Sequence, residues 1–401
     1  MCSNSSLLPR CRQHMSPFKT ITPLLLLAVS LLALSSCSQP GQGSSSKPTP
    51  TPTTTLTSGG SPLSPTPAGS GNPLQTIHMI DATTGWAETS TSLLRTTNGW
   101  RTWKGVTPHQ AALVGAGYFL TSSEAWIGEA SGLSLQAGQK PAVIVSHTTN
   151  GGQTWQSAAL SVTVPEGIFS MSFINDQDGW SEAAVGGVTG TDLVEIFRTT
   201  DGGKSWTAVS DFSQYGHKTG LVFVNATTGW ATSAGLYVTR DGGATWRHQP
   251  LPDPPGQGQA SGGLPTFFND HDGLLPAGSK ILVTHDSGTT WQPEPESSLP
   301  ASSSLVTFID LQHGWAADSG GTALYRTSDG GAHWAKITPA IAASITAVVQ
   351  LNFVSTELGW ALGSTSEPPN TLLFTTANGG QTWTHVPLAN TQSFSSSRRK
   401  V

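Results

Sequence analysis

At 401 residues the chain could hold more than one domain, but only 11% of its residues are charged and 36% are hydrophobic. Gly (45) and Trp (14) are abundant and Met (4) is scarce, a profile of many short strands joined by glycine turns, with indoles supplying buried area, and not of a helical protein. The residues after Cys37 carry 16 basic and 24 acidic side chains, and residues 74–389 carry 12 and 24, so nucleic acid and anionic lipid are excluded as natural partners of the folded region.

The N-terminus reads as an export signal over residues 1–36. Arg10, Arg12 and Lys19 form a basic region, and Pro23 to Leu34 (PLLLLAVSLLAL) is too short an apolar run to span a bilayer comfortably. Leu34-Ser35-Ser36-Cys37 follows and resembles a bacterial lipobox, which implies cleavage before Cys37 and lipidation of its thiol on the outer face of the cell membrane. A start at Met15 would give a more typical signal length. The other cysteines, Cys2 and Cys11, lie upstream, so neither a disulfide nor a thiolate metal site is expected in the folded region.

With Cys37, the stretch Ser38 to Pro73 forms a linker (37–73) rich in Pro, Thr, Ser and Gly, with almost nothing that could enter a core. Its 36 residues would reach about 110 Å at most in a proline-rich extended form, a stalk between membrane and domain. Residues 390–401, ending in Arg398-Arg399-Lys400-Val401, read as a solvated, disordered tail.

Residues 74–389 repeat seven times. TTNGWRTW holds Asn98 and Trp103, TTNGGQTW Asn150 and Trp155, TTDGGKSW Asp201 and Trp206, and TRDGGATW Asp241 and Trp246. THDSGTTW holds Asp286 and Trp291, TSDGGAHW Asp329 and Trp334, and TANGGQTW Asn378 and Trp383. Successive final tryptophans are 52, 51, 40, 45, 43 and 49 residues apart, the size of a propeller blade. A second motif precedes each copy and ends at Trp86, Trp126, Trp180, Trp230, Leu274, Trp315 or Trp360. The two motifs absorb every tryptophan except Trp100.

Unit four shows how strands follow from this. Leu221–Val224, Trp230–Thr232, Gly235–Val238 and Trp246–His248 are separated by polar or glycine turns, giving four short strands A to D. The expected fold is all-β, a seven-bladed β-propeller with one such turn in each blade. Blade one starts with strand A and blade seven ends with strand D, so the ring should close by packing blade seven on blade one without a shared strand.

The repeated turn [ST]-x-[DN]-x-G-x-[TS]-W is the Asp-box. Its short carboxylate or amide can accept backbone N–H groups within the turn, and its glycines permit positive φ. Asn at Asn98, Asn150 and Asn378 does this without charge, which argues for structure rather than metal ligation or catalysis. Blade one carries Trp100 where glycine is expected, so its turn should be distorted. Each final Trp should pack over its turn, and Trp206→Ala should cost roughly 3–5 kcal/mol.

The paired motifs resemble the Asp-box (BNR) propellers, and particularly the photosynthesis system II assembly and stability factor group, the Ycf48-like family. That group shares a Phe-x-[Asn/Asp]…Gly-Trp-Ala strand, matched here by Phe223-Val224-Asn225 and Gly229-Trp230-Ala231, followed by the Asp-box. The resemblance covers residues 74–389. It implies a propeller, and a role in binding a membrane-protein assembly intermediate through a basic patch. Here the folded region is acidic, and Arg95, Arg198 and Arg326, three of its six arginines, share one repeat position.

Two other functions compete with assembly. Asp-box propellers include sialidases and other glycoside hydrolases, but an Arg-Ile-Pro motif is missing, and Tyr237 and Tyr325, two of four domain tyrosines, fall in strand C repeat positions. Hydrolysis by two carboxylates has candidates in Glu88 and Glu182, two residues beyond their motif tryptophans, and in Glu129 and Asp318, three beyond. The favoured expectation is a non-catalytic, monomeric cell-surface lipoprotein that binds a protein or glycan. No cofactor or metal is expected, since the histidines (His147, His285 and His333 beside Asp-boxes) show no metal-ligand spacing. From the second-motif residue to the Asp-box Trp the distance varies from 16 to 29 residues, so length variation sits in the B–C loops. A binding face is expected there, opposite the Asp-boxes, across residues 130–141, 185–192 and the D–A connection 252–263.

Overall fold

The computed structural model describes residues 73–387 apart from 109–111, 132–141, 163–166, 185–193, 212–219, 233–234, 253–262, 295–298, 301–302, 319–322, 338–340, 342–344 and 367–369. The signal, Cys37, the linker, the tail and nearly all of the three long loops lie outside the described residues. The described residues form a seven-bladed β-propeller of four-stranded antiparallel blades, each running A-B-C-D. The A strands are Leu74–Met79, Ala112–Phe119, Gly167–Phe173, Gly220–Phe223, Thr266–Phe267, Ser303–Phe308 and Ala347–Phe353. The B strands are Gly85–Thr89, Ala125–Ser131, Gly179–Ala184, Gly229–Thr232, Gly273–Ala277, Gly314–Asp318 and Gly359–Ser364. A single parallel bridge, Gly115 to Ile168, links the A strands of blades two and three.

The core lies between blades and is built on the B-strand indoles. Trp86, Trp126, Trp180, Trp230 and Trp360 are fully buried, and Trp315 nearly so. Each strand A except the first ends in Phe, and that ring packs on the preceding blade, stacking on its B-strand indole except in blade six, where Phe308 meets Leu274. Phe173 lies 3.7 Å from Trp126, Phe223 3.7 Å from Trp180 and Phe353 3.6 Å from Trp315, with interplanar angles of 14°, 3° and 5°. The glycine before most of these tryptophans makes the stack possible, because a Cβ at Gly179 would come within 2.2 Å of the Phe173 ring. Indole N–H groups also reach the next blade. Trp126 donates to Gly202 O (3.0 Å), Trp180 to Gly242 O (2.9 Å) and Trp315 to Gly379 O (3.0 Å).

Blade seven packs on blade one with no shared strand. Ile77 N donates to Gln350 Oε1 (2.8 Å), Gln350 Nε2 donates to Ile77 O (2.7 Å), and Met79 N donates to Asn352 Oδ1 (2.6 Å). Side-chain amides thus satisfy backbone groups that a shared strand would otherwise pair.

The Asp-box tryptophans are less uniformly buried than the motif suggests. Trp103, Trp155, Trp246 and Trp291 are buried, whereas Trp206, Trp334 and Trp383 are half-buried. The 3–5 kcal/mol expected for Trp206→Ala therefore belongs to a B-strand indole. Trp180→Ala is expected to cost roughly 3–5 kcal/mol and Trp206→Ala clearly less. Urea denaturation of the two variants checks this, and equal losses would contradict it.

Candidate functional site

The seven Asp-boxes form one face with the A–B turns. In every blade the first glycine position of the box, occupied by Ser287 in blade five, donates its N–H to an A–B carbonyl, as in Gly151 N to Ser123 O (2.8 Å) and Gly202 N to Gln177 O (2.9 Å). Within the third box Thr199 Oγ1 donates to Asp201 Oδ1 (2.8 Å), Gly203 N to Thr199 Oγ1 (2.8 Å), and Ser205 N and Oγ to the Asp201 carboxylate (3.0 and 2.6 Å). Burial pushes this carboxyl up, but the hydrogen bonds from Ser205 and Thr199 outweigh it and hold Asp201 below the usual range. At Asp329 the His333 N–H leads, against a burial penalty, and brings the carboxyl down to about 2.

Blade one does not show the expected distortion. Trp100 N donates to Thr96 Oγ1 (3.0 Å) and Thr102 N to Asn98 Oδ1 (3.0 Å), the bonds of the other boxes. Trp100 adopts the left-handed conformation (φ 65°) that glycine takes elsewhere. Its indole meets Trp360 of blade seven edge-on at 5.1 Å, a contact that offsets the backbone strain.

The four candidate carboxylates are built into blades. Glu88 accepts the Thr76 hydroxyl (2.7 Å) and lies against Gly117 of blade two, where burial pushes its carboxyl up. Glu129, buried, accepts from Ser146, whose hydroxyl is 2.8 Å from Ser157 Oγ. Strand alternation turns Glu88 toward blade two and Glu129 toward blade one, so the structure brings these two to one interface. Glu182 is fully buried on the Trp180 face toward blade four, and Asp318 accepts Ala323 N (3.2 Å) at the B–C turn of blade six. The four therefore do not share a site.

The position before each Asp-box threonine carries Arg95, His147, Arg198, Val238, Val283, Arg326 and Thr375. It is paired directly with the B-strand indole, as Trp86 with Arg95 and Trp180 with Arg198. Arg95, Arg198 and Arg326 place their guanidinium carbons 5.5, 5.0 and 5.8 Å from the indole centroids. Arg95 then donates from Nε and Nη2 to Ser122 O of blade two (2.9 and 2.7 Å). Arg240, two positions further along, does the equivalent in blade four, reaching Ser287 O and Gly288 O (both 3.0 Å). These arginines are interblade clips.

In blade two the clip is His147. Its ring lies flat on Trp126 (4.3 Å, 3°), and Nε2 is 3.0 Å from Glu124 Oε1. Burial, with Lys204 nearby, brings the imidazole down to about 4, so this contact is a neutral N–H donating to a carboxylate. Burial and then Asp176 push the Glu124 carboxyl up. Beside it a cleft of about 300 Å³ opens between blades two and three, lined by Glu124, His147, Asp176, Gln177, Asp201 and Lys204 among others. The cleft lies on the Asp-box face, not the face expected from loop lengths. Among the described residues no group of three His, Cys, Asp or Glu side chains could hold a metal ion.

Fold and site together define an Asp-box β-propeller in which arginines clip four of the blade interfaces. Residues 296–393 match the family model described as photosynthesis system II assembly factor YCF48. Over these residues the chain is similar to that family, and the fold is that of a BNR-type propeller. No curated protein matches it in sequence. Among solved structures, one titled "YCF48 bound to D1 peptide" is 18% identical, with 79% of this chain and 96% of that chain covered and a TM-score of 0.52. YCF48 from Cyanidioschyzon merolae is 17% identical, over 77% and 95%, with a TM-score of 0.51. The GH74 xyloglucanase from Xanthomonas campestris is 14% identical with a TM-score of 0.57; the match covers 79% of this chain but only 54% of that enzyme. At these identities the structures establish the fold alone.

The histidine makes a pH prediction. A folded-state value near 4, below the unfolded value of about 6.5, means the stabilising contribution is full above about pH 6.5 and is lost as pH falls toward 4. The melting temperature of the protein relative to that of His147→Phe should be constant above about pH 6.5 and should fall as pH drops from 6.5 toward 4, by the loss of that proton-linked term. A difference independent of pH over this window would contradict it.

Proposed function

We propose that the chain is an exported lipoprotein, anchored through Cys37, whose propeller is a non-catalytic platform for a polypeptide partner. The observation that carries the binding reading is the contrast between the two sets of charged groups. The candidate catalytic carboxylates are built into blade interfaces or a turn, whereas a charged cleft opens to solvent on the rigid Asp-box face. The structure titled as YCF48 bound to a D1 peptide supports a polypeptide ligand for a propeller of this kind. The same family match favours a second reading equally, in which the platform assists assembly of a membrane-protein complex. A glycan ligand is the remaining form of the binding hypothesis.

The anchor is tested by metabolic labelling with an alkyne-bearing fatty acid. The natural chain should be labelled and sediment with membranes, and Cys37→Ser should lose the label and leave the membrane fraction. Retention of both by the variant would overturn the anchor.

The platform is tested by crosslinking the intact lipoprotein on membranes and identifying captured proteins, beside a broad glycoside-hydrolase assay of the purified chain. A reproducible protein partner without hydrolysis is expected. Glycan hydrolysis abolished by Glu182→Gln would overturn the non-catalytic reading.

A further inference from the structure

We propose that the cleft between blades two and three is a receptor for an arginine side chain of the polypeptide partner. The inference rests on the binding reading above and deepens it by naming the group recognised.

The argument is internal to the repeat. Where strand C supplies an arginine, its guanidinium occupies one place, against the first Asp-box glycine of the next blade. A Cβ at Gly151 would come within 2.7 Å of Arg95 Cζ, one at Gly242 within 2.7 Å of Arg198 Nη1, and one at Gly379 within 2.6 Å of Arg326 Nη1. For Arg95 the acceptor there is a carbonyl of the A–B turn, Ser122 O. Between blades two and three the matching glycine is Gly202, and His147 Cε1 stands 3.6 Å from its would-be Cβ. Imidazole is shorter than a guanidinium on its three-carbon stem, so it covers Trp126 without reaching the A–B turn of blade three. The carbonyl that matches Ser122 O is Asp176 O, and among the described residues it receives the exposed Gln177 side-chain amide from the same turn (3.2 Å).

The charges suit an incoming cation. Glu124, Asp176 and Asp201 line the cleft against one cation, Lys204. Glu124 stands where blade three has Asp178, which faces Arg198 at 3.6 Å. A planar guanidinium can donate to the Glu124 carboxylate and to Asp176 O at once, which an ammonium, a point donor, matches less well.

The probe is Nα-acetyl-arginine amide, titrated by NMR into the isotope-labelled protein, with the citrulline amide as neutral isostere and the lysine amide as point charge. Arginine amide should bind with a millimolar Kd, shifting signals of Gly202 and Gln177, lysine amide several-fold more weakly, and citrulline amide not at all. Glu124→Gln with Asp176→Asn should weaken arginine binding at least tenfold. His147→Arg, which restores the sister arrangement, should raise the melting temperature and block the probe. Equal binding of citrulline, no arginine binding by the natural chain, or unchanged binding in both variants would overturn the proposal. The crosslinking experiment separates the two readings. A partner captured equally by the natural chain and His147→Arg sinks this inference and leaves the platform standing, whereas capture of no partner at all sinks the platform.

Discussion

The architecture depends on one contact repeated around the ring, the stacking of a B-strand indole under a phenylalanine from strand A of the next blade. A single blade cannot bury its own tryptophan, because the ring projects from the sheet. Only the neighbour supplies the second wall, at 3.6–3.7 Å where the rings are parallel. Burying an indole also obliges its N–H to find an acceptor, and at three of these interfaces the next Asp-box supplies a glycine carbonyl. The Asp-box is therefore more than a tight turn. Its left-handed pair of residues turns that carbonyl toward the preceding blade, so turn geometry and interblade cohesion are one constraint.

The exceptions show how the constraint is met when the residues change. Blade five has Leu274 in place of tryptophan, and Phe308 of blade six packs on it together with Ile281. At the closing interface Met79 replaces the phenylalanine, Thr375 replaces the arginine, and Trp100 brings a second indole against Trp360. Gln350 and Asn352 then hold the first strand by its backbone. A similar device joins blades three and four, where Ser172 Oγ accepts Phe223 N (2.8 Å). Closure without a shared strand thus reuses means present elsewhere in the ring, with longer side chains.

Seven blades, their strand order and their turns were legible in the sequence because each is marked by residues a few positions apart. Whatever depends on the neighbouring blade was not. The half-burial of Trp206 and the full burial of Trp180 follow from what packs across the interface, which the repeat alone does not encode. Spacing placed Glu88, Glu129, Glu182 and Asp318 on the B strands of four blades, but which neighbour each one faces depends on the ring, so that Glu88 and Glu129 turn to one interface and Glu182 to another. Arg95, Arg198 and Arg326 were recognisable as repeat structure. His147 stands in the same column, and only the structure showed that this column reaches the next blade, so that a shorter side chain there leaves a cleft.

This division bears on the charge of the molecule. Four of the six arginines in the folded region (Arg95, Arg198, Arg240 and Arg326) are held over indoles at blade interfaces. The field presented to a partner is acidic, with 24 acidic side chains against 12 basic ones over residues 74–389. A basic polypeptide is drawn to such a surface from a distance, and its capture needs a place where a cation can approach the Asp-box backbone. Three interfaces occupy that place with their own arginine from the position before the box, and blade four does so with Arg240. At the second, His147 leaves it open beside Glu124 and Asp176. Attraction and selectivity thus share an origin, because the arginines that hold the blades together also close the sites that a partner's arginine could otherwise enter.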